Sequence, residues 1–256
     1  VEKTFKAITF SVQGRVAYVG LNQPETLNAI GPDMLNELSE AFWSISDSDQ
    51  IVAVVLTGEN STFSAGVDLK WLHSQKIRNG NIGELLDKPA RALIVQIESL
   101  PQVVIAKVHG HCYTGALEIV LACDMVIASE DAKLGDTHAK WGLRPSWGMS
   151  QRLPRLVGML KAKELAFSAN PINGAEAARI GLINQAVSAE RLDEVVDGFV
   201  QAITPQSRGA IAAYKDLFLE SQFSHLQEGL SYEANTDYEI PDTAARLADF
   251  VNKSEK

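Results

Sequence analysis

Residues 103–124, VVIAKVHGHCYTGALEIVLACD, constrain the fold more than any other stretch of the chain. A mostly apolar, β-branched run, Val103 to Val108, gives way to a polar segment punctuated by glycine, His109 to Gly115, which opens into an apolar run reaching Ala122. That order spells strand, loop, helix. The run from Gly115 to Ala122 should be buried on most faces, yet it carries one carboxylate, Glu118, a turn inside its start. An ionised carboxylate is seldom buried without a partner or a task. From the helix alone two readings stand: a Glu satisfied by a neighbouring backbone group or Arg, and a Glu that does chemistry.

A chain of 256 residues is ample for one large core, or for a core with an appendage. Its hydrophobic fraction of 46% and charged fraction of 21% fit an ordinary soluble globular protein rather than a disordered one. No apolar stretch approaches the roughly 20 residues needed to span a bilayer; even residues 116–128 are interrupted by Glu118 and Asp124. A formal charge of -9 argues against nucleic-acid or anionic-membrane partners. It leaves room for a small anionic ligand, because local basic groups and backbone amides bind phosphate on acidic proteins too. Cys112 and Cys123 have no metal-ligand spacing around them and are expected to be reduced thiols of a cytoplasmic protein; VEKTFKAITF at the start lacks the basic end and apolar centre of a signal peptide.

Taken in order, Phe5–Ser11 and Arg15–Leu21 read as a hairpin turning at Gln13-Gly14, and Pro32 starts a helix with Met34, Leu35, Leu38, Ala41, Phe42 and Ile45 at 3.6-residue spacing. Ile51–Leu56 is a strand buried on both faces, running towards FSAGVDLK at 63–70. Lys76–Lys88 reads as a mobile surface loop, and Pro89–Leu100 as a helix. Met125–Ala128 is a short strand, Leu160–Ala169 and Gly174–Ile180 are helices, and Ile183–Val187 is the last strand, with Ser188 capping a helix to about Ile203. From Pro205 only helical periods occur. The fold class is therefore α/β, divided into a core over residues 1–200 and a helical region over 201–256.

Both Gly-bearing loops follow an apolar strand and precede a helix. Amides left unpaired at such a junction can bind an anion or a developing oxyanion. Two such loops, with a carboxylate one turn past the second, suit chemistry at a carbonyl. FSAGVDLK at 63–70, HGHCYTGALEIVLACD at 109–124, GLINQAV at 181–187 and LNQPETLNAI at 21–30 together resemble the crotonase (enoyl-CoA hydratase/isomerase) superfamily, in order and over essentially the whole chain.

The resemblance implies a crotonase-like spiral of repeated β/α units with a C-terminal helical trimerisation region, and an acyl-CoA thioester as substrate. It implies that the amides of Val67 and Gly115 form the oxyanion hole, that Glu118 is the first of two catalytic glutamates, and that His138 stands where the second would be. An imidazole near neutral pH can act as acid or base, so His138 is carried as a catalytic candidate. Ala65, Asp68, Leu69 and Lys70 would line the ligand, with Trp141 shaping the acyl pocket; Trp147 is either a core residue or a second pocket residue. Gln23 and Glu25 replace the basic residues the family often has beside CoA, which shifts phosphate contacts to Lys70, or to Phe250 and Lys253. No cofactor is implied, coenzyme A being part of the substrate. His73, His109 and His111 lack a plausible set of metal ligands, and Ser64, Ser146 and Ser150 sit in no Gly-x-Ser-x-Gly elbow.

The expected activity is addition of water to a 2-enoyl-CoA by a homotrimer or a hexamer made of two trimers. The alternatives are another crotonase-type reaction using His138 (isomerisation, decarboxylation, or C–C bond hydrolysis or lysis) and a non-catalytic acyl-CoA-binding protein. A buried carboxylate speaks against a pure binder, which gains nothing from its desolvation.

Overall fold

The computed structural model describes residues 5–75 and 77–254, the last two by their backbone only. Strands β1 (Ile8–Gln13) and β2 (Val16–Leu21) form the expected hairpin, with Ile8 opposite Leu21 and Gln13 opposite Val16 around Gly14 at φ 58°. Helix α1 (Pro32–Ser46) starts at its proline and buries the six apolar positions that the spacing marked. Next come β3 (Ala53–Gly58), the short α2 (Leu69–His73), α3 (Glu84–Ser99), β4 (Val103–Val108), β5 (His111–Tyr113) and α4 (Gly115–Val120). They are followed by β6 (Met125–Ser129), β7 (Lys133–Gly135), α5 (His138–Trp141), α6 (Met149–Val157), α7 (Met159–Ser168), β8 (Ile172–Asn173), α8 (Gly174–Arg179) and β9 (Gln185–Val187). Four helices follow among the described residues: α9 (Leu192–Ile203), α10 (Arg208–Glu220), α11 (Leu226–Asn235) and α12 (Thr243–Ser254).

The larger sheet has the order β1-β2-β3-β4-β6-β9, parallel apart from the first hairpin; β5, β7 and β8 make a second, smaller one. Side chains alternate across a strand, so each parallel strand feeds two cores. Val54, Leu56, Val104 and Ala106 pack with α1 and α3 on one face, while Ala53, Val55, Val103 and Ile105 meet Leu192, Val196 and Val200 of α9 on the other. The boundary drawn near residue 200 thus falls inside α9, a helix that closes the sheet's second face.

Three local expectations are corrected. Helix α3 begins at Glu84, five residues before Pro89. Asn81 Oδ1 accepts the Gly83 amide, the Gly83 carbonyl accepts the amides of Leu86 and Asp87, and both side chains are buried, which outweighs the one backbone bond that Pro89 forfeits. A three-residue 3₁₀ turn, Ala189–Arg191, stands between Ser188 and α9, and the Ser188 side chain caps no amide there. Short strands β5, β7 and β8 were not expected from the sequence; at two or three residues each they are too brief to show a period.

The early loop is locked by one side chain. Asn28 is fully buried at φ 54°, a left-handed conformation that Asn tolerates better than most residues. Its Nδ2 donates to the carbonyls of Glu59 (3.1 Å), Thr62 (2.9 Å) and Phe63 (3.3 Å), and its Oδ1 accepts the Gln23 amide at 2.8 Å. The LNQPETLNAI stretch thereby pins the turn that leads into FSAGVDLK. Asn28→Ala leaves those groups unpaired in a dry site and is expected to lower stability by about 2 to 3 kcal/mol in denaturant unfolding.

Candidate active site

Strands β3 and β4 lie side by side and parallel, Ala53 opposite Val103 through Thr57 opposite Lys107, so the loops leaving them emerge at the same edge of the sheet. In open α/β sheets that edge is where ligands bind. The loops are then stitched together: the amides of Phe63 and Ser64 donate to the carbonyls of His109 and His111, both at 2.8 Å, and Tyr113 N donates to the Ser64 carbonyl at 3.3 Å. Ser64 itself is buried, its Oγ donating to the Asn28 carbonyl at 2.6 Å and accepting the Gly66 amide at 3.1 Å.

Val67 and Gly115 face each other across this seam. Ile30 binds the residues on either side of Val67, its amide donating to the Gly66 carbonyl (2.7 Å) and its carbonyl accepting Asp68 N (3.0 Å), which leaves the Val67 amide turned away from Ile30. Gly115 opens α4, so its amide has no intrahelical acceptor. Among the described residues neither amide donates to a protein acceptor. A Cβ on Gly115 would sit 3.0 Å from Val67 Cγ2 and 2.5 Å from Trp147 Cζ3. The Trp147 ring therefore leaves no room for a side chain at Gly115.

Thr114, between β5 and α4, adopts φ 50° and ψ -110°, a conformation that a β-branched residue rarely takes and that costs on the order of 1–3 kcal/mol. Its amide donates to the Gly135 carbonyl at 2.9 Å and its Oγ1 pairs with the Thr137 hydroxyl. Those contacts hold the backbone that aims the Gly115 amide.

Glu118 is 2% exposed. Its Oε1 accepts the amides of Trp147 (3.0 Å) and Met149 (2.9 Å), and its Oε2 lies 3.7 Å from His138 Nε2. His138, 7% exposed, places its Nδ1 2.7 Å from Asp136 Oδ1. Burial pushes the Glu118 carboxyl up to about 7; the facing His138 and the two amides pull it down less strongly, and the Asp136 charge adds to the rise. A group poised there can take or give a proton near neutral pH. A cavity of about 370 Å³, lined by Asp136, His138, Leu143, Pro145, Met149 and Leu153 among others, opens beside the pair.

Of the residues marked in the sequence, the fold brings Val67, Gly115, Glu118 and His138 together. Ala65 lies on the same loop, its amide donating to the Leu27 carbonyl, and Asp68 caps α2 by accepting the amides of Lys70 (2.9 Å) and Trp71 (3.0 Å). Leu69 and Lys70 are exposed at the start of α2. Trp141 is 52% exposed with Lys140 Nζ 5.2 Å from its ring centre, whereas Trp147 is buried at the site itself. Phe250 is exposed on α12, and the Lys253 side chain lies outside the described residues. His109 Nε2 meets the Asn60 carbonyl and His111 Nδ1 the Tyr113 hydroxyl; His73 ends α2. Sequence reasoning missed Asp136, Asp87 and the 147–149 amides. Asp136 was legible as Asp-x-His, but Asp87, whose Oδ1 accepts Ser146 Oγ at 2.6 Å and Trp147 Nε1 at 3.0 Å, sits in a stretch that reads as surface loop.

The raised Glu118 value has a consequence for stability. A carboxyl at about 7 when folded, against 4.5 unfolded, holds its proton more tightly in the native state, so stability is highest below 4.5 and declines as pH rises through the window to about 7. Glu118→Gln retains the acceptor for both amides and removes that charge. The variant is expected to match the wild type near pH 4.5 and to exceed it by up to about 3 kcal/mol at pH 8 in denaturant unfolding, the equivalent of the shift.

Known proteins resemble the chain over most of its length. Residues 11–255 match the family model described as enoyl-CoA hydratase/isomerase. The chain is 34% identical over 224 residues to a short-chain-enoyl-CoA hydratase of Clostridium acetobutylicum, covering 87% of this chain and 84% of that one. It is 31% identical over 233 residues to a crotonyl-CoA hydratase of Syntrophomonas wolfei, covering 90% and 88%. Among solved structures, an enoyl-CoA hydratase from Bacillus anthracis superposes with a TM-score of 0.88 at 29% identity over 97% of both chains. A Thermobifida fusca protein in complex with CoA gives 0.80 at 29% identity over 96% of this chain and 95% of that one. With the match spanning nearly its whole length, the chain belongs to the enoyl-CoA hydratase/isomerase family, the crotonase superfamily.

Proposed function

We propose that the protein adds water to a 2-enoyl-CoA thioester. The observation that carries this is the placement of two unpaired amides, Val67 and Gly115, on the seam that also holds the buried Glu118–His138 pair. The amides donate to the thioester oxygen and draw electrons from the conjugated double bond, which makes C3 electrophilic. As water oxygen bonds to C3, the pair takes its proton; the π electrons pass to the thioester oxygen as an enolate, held by the two amides. The pair then protonates C2. Backbone donors suit this task because they do not titrate. The reaction so drawn requires no cofactor, since coenzyme A enters as part of the substrate.

Ala65, Asp68, Leu69 and Lys70 flank Val67 in the chain and would run beside the CoA moiety, with Phe250 and Lys253 as contacts contributed by a neighbouring subunit. The homologues named as hydratases support the reading, and the His138 substitution favours keeping isomerisation, decarboxylation and C–C cleavage as the second reading. No helix among the described residues is long and apolar enough to cross a membrane; a cytoplasmic enzyme fits the two free cysteines. Incubation with a panel of enoyl-, β-keto- and malonyl-type CoA thioesters, read by mass, separates the chemistries: gain of water, altered absorbance without mass change, or loss of carbon dioxide.

On the best thioester, Val67→Ala is expected to retain much of the activity, because the donor is backbone. A folded Val67→Pro lacks the donor and should lose about 10² to 10³ in rate. Unchanged turnover by Val67→Pro would remove the enolate mechanism.

The 201–256 region is assigned to assembly of a homotrimer, alone or paired into a hexamer. Phe218, Phe223, Leu226, Leu247 and Phe250 are each more than 60% exposed on or beside α10 to α12, and covering such a surface between copies removes it from water. A chain ending near Thr204 is expected to run as a monomer or aggregate in light scattering; a well-behaved truncated trimer would count against the assignment.

A further inference from the structure

We propose that Asp136 is a positioning residue that fixes His138 in the tautomer protonated on Nδ1, so that Nε2 and Glu118 Oε2 act together on a single water molecule. The inference deepens the hydration reading and rests on it for its kinetic part. Three observations carry it. Asp136 is 5% exposed, and one of its oxygens, Oδ1, takes both the His138 amide (3.1 Å) and the His138 ring nitrogen Nδ1 (2.7 Å). A carboxylate has no proton to offer, so Nδ1 carries the hydrogen and Nε2 of the neutral ring is left with its lone pair. That lone pair is on the side of Glu118 Oε2, 3.7 Å away, a separation too long for a good direct hydrogen bond. One water oxygen placed about 2.8 Å from both atoms subtends an angle of roughly 80° between them, which is open enough for it to be held by the two groups at once.

The groups around the ring fit this assignment. Glu118 faces it from α4 and Asp136 from the loop after β7; Lys140 on α5 itself lies over Trp141, and Lys163 of α7 lines the same cavity as His138. The adjacent Thr137 is engaged with Thr114 and leaves the ring to Asp136. A proton count shows what the arrangement does. At the outset the pair holds one proton, on Glu118, and His138 Nε2 keeps its lone pair. The pair accepts a second from water as the oxygen–C3 bond forms, and returns one to C2 when the enolate collapses, so the sum is one water added and the pair restored. The negative Asp136 stabilises the doubly protonated stage by pairing with the imidazolium.

Histidine NMR on isotope-labelled wild-type enzyme and pH profiles of kcat and KM on crotonyl-CoA test the proposal. The wild-type His138 ring is expected to carry its proton on Nδ1; a proton on Nε2 would overturn the assignment whatever the enzyme turns over. Asp136→Asn loosens the hold on the Nδ1 hydrogen and removes a negative charge that helps raise the Glu118 carboxyl, so kcat should fall by about 10²-fold with KM nearly kept, and the alkaline limb of the profile should move to lower pH. In a His138→Gln background the same change should cost no more than about 2-fold, because its effect passes through the ring. Asp136→Glu, which keeps the charge, should recover part of the rate and the position of the limb. If Asp136→Asn leaves the limb in place, or costs as much without His138 as with it, Asp136 is only a turn-forming residue. If Asp136→Asn does not fold, the tautomer in the wild type and the profile of Asp136→Glu decide. Should the wild type turn over no enoyl thioester, the hydration reading falls, and the tautomer measurement still judges the role of Asp136.

Discussion

A carboxylate held by two backbone amides inside an apolar helix is the interaction on which the site depends. Glu118 Oε1 is fixed by the N–H groups of Trp147 and Met149, and that single anchorage couples α4 to the loop entering α6. The same loop carries the Trp147 ring against Gly115 and its indole N–H to Asp87 of α3. The group that would move protons and the amide that would hold the oxyanion are thus located by one residue. Both amides favour the ionised form, but desolvation exceeds them, and the carboxyl comes to rest near neutrality instead of near its usual value.

Strand pairing supplies the other half of the geometry. Because β3 and β4 are adjacent and parallel, their loops leave on one edge, and the bonds between 63–64 and 109–113 draw them so close that a Cβ on Gly115 would lie 3.0 Å from Val67 Cγ2. Strain is concentrated at Thr114, which a threonine tolerates only because its amide, hydroxyl and neighbours are all engaged. Two features of the site cost stability: a strained turn at Thr114 and a buried acid at Glu118. The long apolar strands and the two cores on either face of the sheet carry that cost.

The C-terminal helices are fastened to this core by specific polar contacts. Lys215 of α10 pairs with Asp124 Oδ2 at 2.6 Å and donates to the Gln102 carbonyl at 2.9 Å, while Asp124 Oδ2 also accepts the Val104 amide at the start of β4. The residue that ends the signature stretch of the sequence therefore joins the central strand to the tail. Ile211 and Ala213 of α10 also pack inward and Arg208 pairs with Asp49 at 3.1 Å, while Phe218, Phe223, Leu226, Leu247 and Phe250 stay exposed in the single chain.

Periodicity and turn chemistry determined much of this protein without a structure. The apolar spacing of α1, the β-branched runs of β3 and β4, the turn at Gly14 and the strand-loop-helix around Glu118 are local properties, and each element formed where its own residues direct it. Val67, Gly115, Glu118 and His138 were marked as candidates by the family resemblance of their motifs, and the fold brings them to one place. The tertiary structure alone decided which groups meet. Asp87 reads as part of a polar loop and ends up buried on Trp147; Trp141 and Trp147 look alike in sequence, yet one is exposed and the other walls the site. The partnership of Asp136, His138 and Glu118 likewise depends on packing α4 against the 136–149 segment, and no local preference encodes a contact between residues brought together only by the sheet beneath them.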